Sequence, residues 1–189
     1  MAKRLLVGTV LTLIAFIGAM PAVQGDTRTF NDSTTDETSY MGIRWVKIQN
    51  GWTADGTWHN NLKIVTRVND IPHPPDFAGI TSFFIDTKPS NAGPEYRLRV
   101  IQDVGLYRVN SWNDHGTAVP WGCGAGRYGY DAWYGQAGGD YNRVITSIKR
   151  ACIGHAGKVR VSVHTAVENR PRQQDWAKAR TRFYPWVLR

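Results

Sequence analysis

The chain has 189 residues, 42% of them hydrophobic and 20% charged, with a formal net charge of +8. At roughly 150 residues per domain this allows one domain, or one and a piece, and excludes an enzyme with a separate cofactor domain. The balance of apolar and charged residues also excludes a disordered chain.

Lys3 and Arg4 form a short positive region, Leu5 to Met20 runs apolar without a charge, and Pro21 to Gly25 breaks it. This three-part pattern predicts a secretory signal peptide over 1–25. Cleavage is expected after Gly25, with a cut after Ala22 as the alternative. The apolar run is 16 residues long, and a spanning helix needs roughly 20. The expected product is therefore secreted and extracellular, with no transmembrane segment in the mature chain. Cleavage takes 25 of the 189 residues and leaves 164; losing Lys3 and Arg4 lowers the net charge from +8 to +6. A domain of this size buries roughly 70% of its unfolded-chain surface, enough for a core.

Residues 26–41 are polar and are expected to be a flexible lead-in. Asn31-Asp32-Ser33 fits the glycosylation sequon, a short pattern that recurs by chance. The folded domain is expected over 42–189. Gly42 to Gln49 places Ile43, Trp45 and Ile48 against Arg44 and Lys47. In Leu62 to Asp70, Leu62, Ile64, Thr66 and Val68 alternate with Lys63, Val65 and Arg67. Ala78 to Asp86 is an apolar run suited to a buried strand. Glu95 to Gln102 sets Tyr96, Leu98 and Val100 against Arg97 and Arg99. Leu106 to Trp112, Asn142 to Arg150 and Lys158 to Thr165 read the same way. Period-two alternation of this kind is what a half-buried antiparallel strand requires.

Turn-rich segments separate these runs, and the best helix candidate is short, around Gln173 to Arg180. Cys123 and Cys152 are the two cysteines. In an exported protein such a pair is expected to form one disulfide, worth about 3–4 kcal/mol for a loop of roughly 30 residues. A free nucleophilic cysteine with a histidine partner is the rival. The expected fold is all-β: a single domain with one disulfide, an antiparallel two-sheet β-sandwich of jelly-roll-like form.

Four stretches carry a resemblance: Asp76 to Val100, Ser147 to Gly154, Lys158 to Val163, and the closing Phe183 to Arg189. They hold Ile85-Asp86-Thr87, Gly93-Pro94-Glu95-Tyr96, and a cysteine on each side of a late strand. Over Ile43 to Arg189 the chain resembles a largely uncharacterised group of exported β-sandwich proteins of high-GC Gram-positive bacteria. That group is distantly similar to family-nine carbohydrate-binding modules. The resemblance implies a sandwich fold and export. In those modules tryptophans clamp the end of a sugar chain, but no tryptophan of this sequence aligns with them, so no sugar ligand is transferred.

The segment Trp121 to Tyr141 is unusually rich in aromatics and glycines. Aromatic faces stack on the apolar faces of sugar rings, and glycines admit a ligand close to the backbone. The candidate ligand-binding residues are Trp112, Trp121, Arg127, Tyr128, Tyr130, Trp133 and Tyr134. A long ordered loop that covers the end of the sandwich is the competing reading. Asp86, Asn91, Glu95 and Asp103 offer oxygens of the kind calcium takes, without the spacing of a defined calcium loop. Asp86 capping a turn and Glu95 pairing with an arginine is the expected reading, so no metal site is expected and Asp86, Asn91 and Glu95 stand only as weak calcium candidates. The five histidines show no close metal spacing.

No Gly-x-Ser-x-Gly elbow or phosphate loop occurs. The expected function is non-catalytic binding at the cell exterior, with no cofactor and with a glycan or anionic cell-wall polymer as ligand. A protein-interaction role as inhibitor, toxin or adhesin component is the alternative, and a small extracellular hydrolase the second. Arg97, Arg99, Arg108, Arg143, Lys149 and Arg150 on strands, with a basic tail, favour anionic partners or a solvated face. Export argues against nucleic acid.

Overall fold

The computed structural model describes residues 25–32, 41–52, 60–71, 79–100, 104–123, 130–137, 140–168 and 170–189. Apart from Gly25, the signal-peptide expectation lies outside these residues.

The described strands are β1 (Thr27–Asn31), β2 (Ile43–Trp52), β3 (Asn61–Val68), β4 (Gly79–Asp86), β5 (Tyr96–Val100), β6 (Val104–Arg108), β7 (Thr117–Ala118), β8 (Tyr130–Ala137), β9 (Asp140–Lys149), β10 (Lys158–Val167), β11 (Arg170–Trp176) and β12 (Val187–Leu188). One sheet has five strands in the order β1-β2-β3-β9-β8, and the other has seven, β11-β10-β4-β5-β6-β7 with β12 on β10. The pairings are antiparallel. This is the expected all-β two-sheet sandwich, consistent with a jelly-roll-like form.

Alternation explains how the sheets meet. Val46, Ile48, Leu62, Ile64, Val144 and Ile148 of the five-stranded sheet share one buried core with Phe83, Ile85, Leu98, Leu106, Val159, Val161 and Val163 of the other. Each such side chain contributes about 1.5–3 kcal/mol on burial. Polar bonds tie the sheets at both ends of β2. At its start the Ile43 amide donates to the Asp175 carboxylate at 2.6 Å, and the Thr165 hydroxyl donates to the Met41 carbonyl at 2.6 Å. At its end the Asn50 amide side chain donates to the Val187 carbonyl at 3.2 Å. The Cys123–Cys152 disulfide, with its Cα atoms 5.1 Å apart, ties the segment before β8 to the short 3₁₀ turn Arg150–Ile153 after β9.

Three local expectations are corrected. Residues 27–31 of the supposed lead-in form the edge strand β1, anchored where the Phe30 ring stacks on Tyr184 at 4.5 Å. The helix expected over 173–180 is replaced up to Trp176 by β11, which gives its backbone to β10 and its Asp175 carboxylate to Ile43. The aromatic segment is not one loop, because Tyr130–Ala137 pairs with β9 as a strand.

The Asp175 bond is charge-assisted and buried, so its loss leaves the Ile43 amide without that acceptor. Asp175→Ala is expected to lower the unfolding free energy by about 2–3 kcal/mol, measured by urea denaturation. A change within about 0.5 kcal/mol, the range of an ordinary surface substitution, would contradict this role.

Candidate functional site

Each sheet turns one set of alternate side chains outward, and the two outer faces differ. On the seven-stranded sheet the chain covers part of its own surface, while Arg97 and Arg99 of β5, on the same face as Phe84, stay half-exposed and exposed. Phe84 contacts Trp112 and Trp176 at ring separations of 5.2 and 5.5 Å, and Trp112 contacts Phe183 at 4.6 Å. Arg160 lies over the rings of Phe183 and Trp186 at 4.8 and 4.7 Å and bridges to the buried Asp86 at 2.6 Å. The C-terminal segment is thereby clamped to the sheet by cation–π and ionic contacts.

The outer face of the five-stranded sheet is partly exposed: Arg67, Asp131 and Trp133 are exposed, Trp45, Lys47, Lys63 and Arg143 half-buried, and Val65 buried. The sheet's inward set is mostly apolar, with Asn50, Thr66, Asn142 and Thr146 buried among it, and its charged positions lie outward. Lys47 lies opposite Val65, Gln49 opposite Lys63, and Trp45 opposite Arg67 on β2 and β3. Arg67 continues to Arg143 on β9, Val65 to Ile145 and Lys63 to Ser147. Ile145 continues to Trp133, Ser147 to Asp131 and Arg143 to Gly135 on β8. The face therefore carries Lys47, Lys63, Arg67, Arg143 and Lys149 with Trp45 and Trp133, and Asp131 as its one acidic position with a described side chain. Burial, together with the Lys47 charge, holds the Lys63 ammonium below its ordinary value. Gly135 places no side chain beside Arg143, and a Cβ there would meet Ile145 Cδ1 at 2.8 Å.

Trp45 reaches this face through an irregularity. The β2–β3 register shifts between Ile43 and Trp45. The extra residue makes Arg44 exposed and Trp45 half-exposed while Ile43 and Val46 stay buried, as a β-bulge does when it re-aims a side chain. Trp45 was expected on the inward side with Ile43 and Ile48; the bulge corrects that. Beside it lies an open hollow of about 360 Å³ lined by Arg44, Trp45, Arg67, Val68 and Asn69. The Arg44 Nε donates to the Asn69 side-chain oxygen. The Arg143 guanidinium lies 5.9 Å from the Trp45 ring centre.

The residues singled out in the sequence are dispersed. Trp121 and Trp133 are exposed large rings, at 59% and 40%. Trp121 donates its indole N–H to the Tyr130 carbonyl at 3.2 Å. Tyr130 is a core residue whose hydroxyl donates to the Val119 carbonyl. Trp112 belongs to the covered cluster on the other sheet. Tyr134 lies on β8; its side chain, like Arg127 and Tyr128, lies outside the described residues.

The acidic group does converge, on protein donors. Asp86 accepts from Arg160 and from the Lys88 amide. Glu95 accepts from the Thr87 amide and hydroxyl and from the Asn91 side chain. Asp103 lies outside the described residues. Among the described residues no group of three or more His, Cys, Asp or Glu is placed to hold a metal. Arg150, expected on a basic surface, is buried and donates to the Asn60 side chain and to the carbonyls of His155 and Ala156. Trp45, Lys47, Lys63 and Arg67 were not singled out, although strand alternation already set Lys47, Lys63 and Arg67 opposite the apolar residues.

No family model, no curated protein and no solved structure matches the chain. Among the described residues no helix is long and apolar enough to cross a membrane.

The covered face makes one prediction about pH. His164 lies against Trp176 with ring centres 4.4 Å apart and is hydrogen-bonded to Gln174 at 3.1 Å. Burial, aided by Arg180, holds its imidazole below the ordinary value of 6.5, while Gln174 opposes the shift. The fold favours the neutral ring. Its contribution is therefore full above the unfolded-state pKa and is lost as pH falls through the lower folded value. Side-chain NMR titration should give a midpoint below 6.5, lowered further by Gln174→Ala; a midpoint above 6.5 contradicts the burial argument.

Proposed function

We propose that the chain is an exported, non-catalytic binding protein that lays a glycan or cell-wall polymer along the outer face of its five-stranded sheet. The observation that carries this reading is the contrast between the two faces. On one, the large aromatic rings are packed against one another and against the C-terminal segment, leaving Arg97 and Arg99 beside them; the other presents Trp45 and Trp133, half-exposed and exposed, among basic side chains. A face that runs across five strands suits an extended polymer, and half-wet indole rings suit the apolar faces of sugars. Export rests on the charged, apolar and small-residue pattern of residues 1–25. The resemblance to exported β-sandwich proteins distantly similar to carbohydrate-binding modules belongs to the same proposal.

The test is retention of the purified protein on insoluble polysaccharides and bacterial cell walls, at low and high salt. The wild-type protein is expected to be retained. Trp133→Ala is expected to weaken retention roughly three- to tenfold. Trp176→Phe, in the covered cluster, is expected to leave retention unchanged. Equal retention of the wild type, Trp133→Ala and Trp45→Ala would overturn the assignment of the face, and no retention on any polymer would overturn the function.

A further inference from the structure

The hollow beside Trp45 has the chemistry of a specific subsite rather than of a general basic surface. It has one aromatic ring, two guanidinium groups and one amide on its lining, from Trp45, Arg44, Arg67 and Asn69. Its volume of about 360 Å³ lies near the lower end of the roughly 300–1,000 Å³ of ligand pockets. We propose that this hollow binds an acidic sugar residue of a polysaccharide, with the carboxylate on Arg44 and Arg67 and the ring on Trp45. The inference rests on the five-stranded face being a polymer-binding surface, and it names the ligand class of that surface.

Three features support a carboxylated sugar over a neutral one or a bare polyanion. A guanidinium is a planar fork that matches a carboxylate bidentately, which a point charge does not do. Arg44 is held against Asn69 at the end of β3, and Arg67 stands across the strand pair from Trp45, so the cations border the ring. A pyranose carrying a carboxylate has one apolar face for the indole and an in-plane anion for the arginines. Third, the row continues through Arg143, with Lys47 and Lys63 on neighbouring rows. Adjacent strands are about 4.8 Å apart, so an extended chain leaving the hollow across the sheet keeps meeting cations. Trp133 offers a second ring on β8.

Calorimetric titration of the purified protein tests this with length-matched oligogalacturonate, its neutral galactan counterpart, inorganic polyphosphate and a single-stranded oligonucleotide. Oligogalacturonate is expected to bind at least roughly tenfold tighter than the galactan, and tighter than either phosphate polymer. Arg67 is exposed, so Arg67→Gln is expected to leave the thermal melt unchanged. It should weaken oligogalacturonate binding roughly ten- to a hundredfold and galactan binding less than about twofold. Arg67→Lys should fall between, because it keeps the charge and loses the fork. Arg99→Gln, on the other sheet, should change neither. Equal affinity for the acidic and neutral oligomers, no effect of Arg67→Gln, or tighter binding of polyphosphate or the oligonucleotide would overturn the inference. Galactan binding that is lost in Trp133→Ala without any acidic preference would overturn this subsite alone and leave the broader function standing. Failure of both sugar oligomers overturns the subsite, and retention on insoluble polymers then decides the broader function separately.

Discussion

Burial of every second residue of β2, β3 and β9 against β4, β5 and β10 is the constraint from which the other features follow. A one-residue slip in β2, β3 or β9 would turn its apolar set out of the core. Ile48, Ile64 and Ile148 are fully buried, as are Phe83, Leu98 and Val161 across from them. Their commitment to the core leaves Lys47, Lys63, Arg67 and Arg143 facing outward. The basic surface is thus the necessary complement of the core, and its row-by-row order follows from the strand register.

The two sheets use that complement differently. On the seven-stranded sheet, Asp86, Arg160, Phe183 and Trp186 draw the C-terminal segment over the outward positions of β4 and β10 and engage them in internal contacts, while Arg99 of β5 stays exposed. On the five-stranded sheet the outward charge is almost all of one sign among the described side chains. The Lys63 ammonium is held below its ordinary value there, mainly by burial and secondarily by the Lys47 charge. An anion on this face would meet the cations of neighbouring strands beside the rings of Trp45 and Trp133, whereas the rings of the larger aromatic cluster are already packed against one another.

Much of the fold was legible because alternation is a local signal. Leu62, Ile64, Thr66 and Val68 are buried, as their spacing implied, and Lys63 and Arg67 are not. The misses have non-local causes. β11 reads Arg-Pro-Arg-Gln-Gln-Asp-Trp, without an apolar period, and becomes a strand through β10 and the Asp175 bond to Ile43. β1 depends on Phe30 meeting Tyr184, more than 150 residues away in sequence. The site was harder to read. Trp112, Trp121 and Trp133 are near one another in sequence, yet Trp112 belongs to the other sheet's outer face. Trp45 was hidden by a bulge that breaks the very periodicity used to assign its side.

The most direct test of the central claim uses the lysines as reporters. Zero-length carbodiimide coupling of oligogalacturonate to the protein, followed by peptide mapping, joins sugar carboxylates to the ammonium groups they touch. Conjugates are expected at Lys47, Lys63 and Lys149 of the five-stranded face. Conjugates concentrated at Lys88, Lys158 or Lys178 instead would contradict the claim.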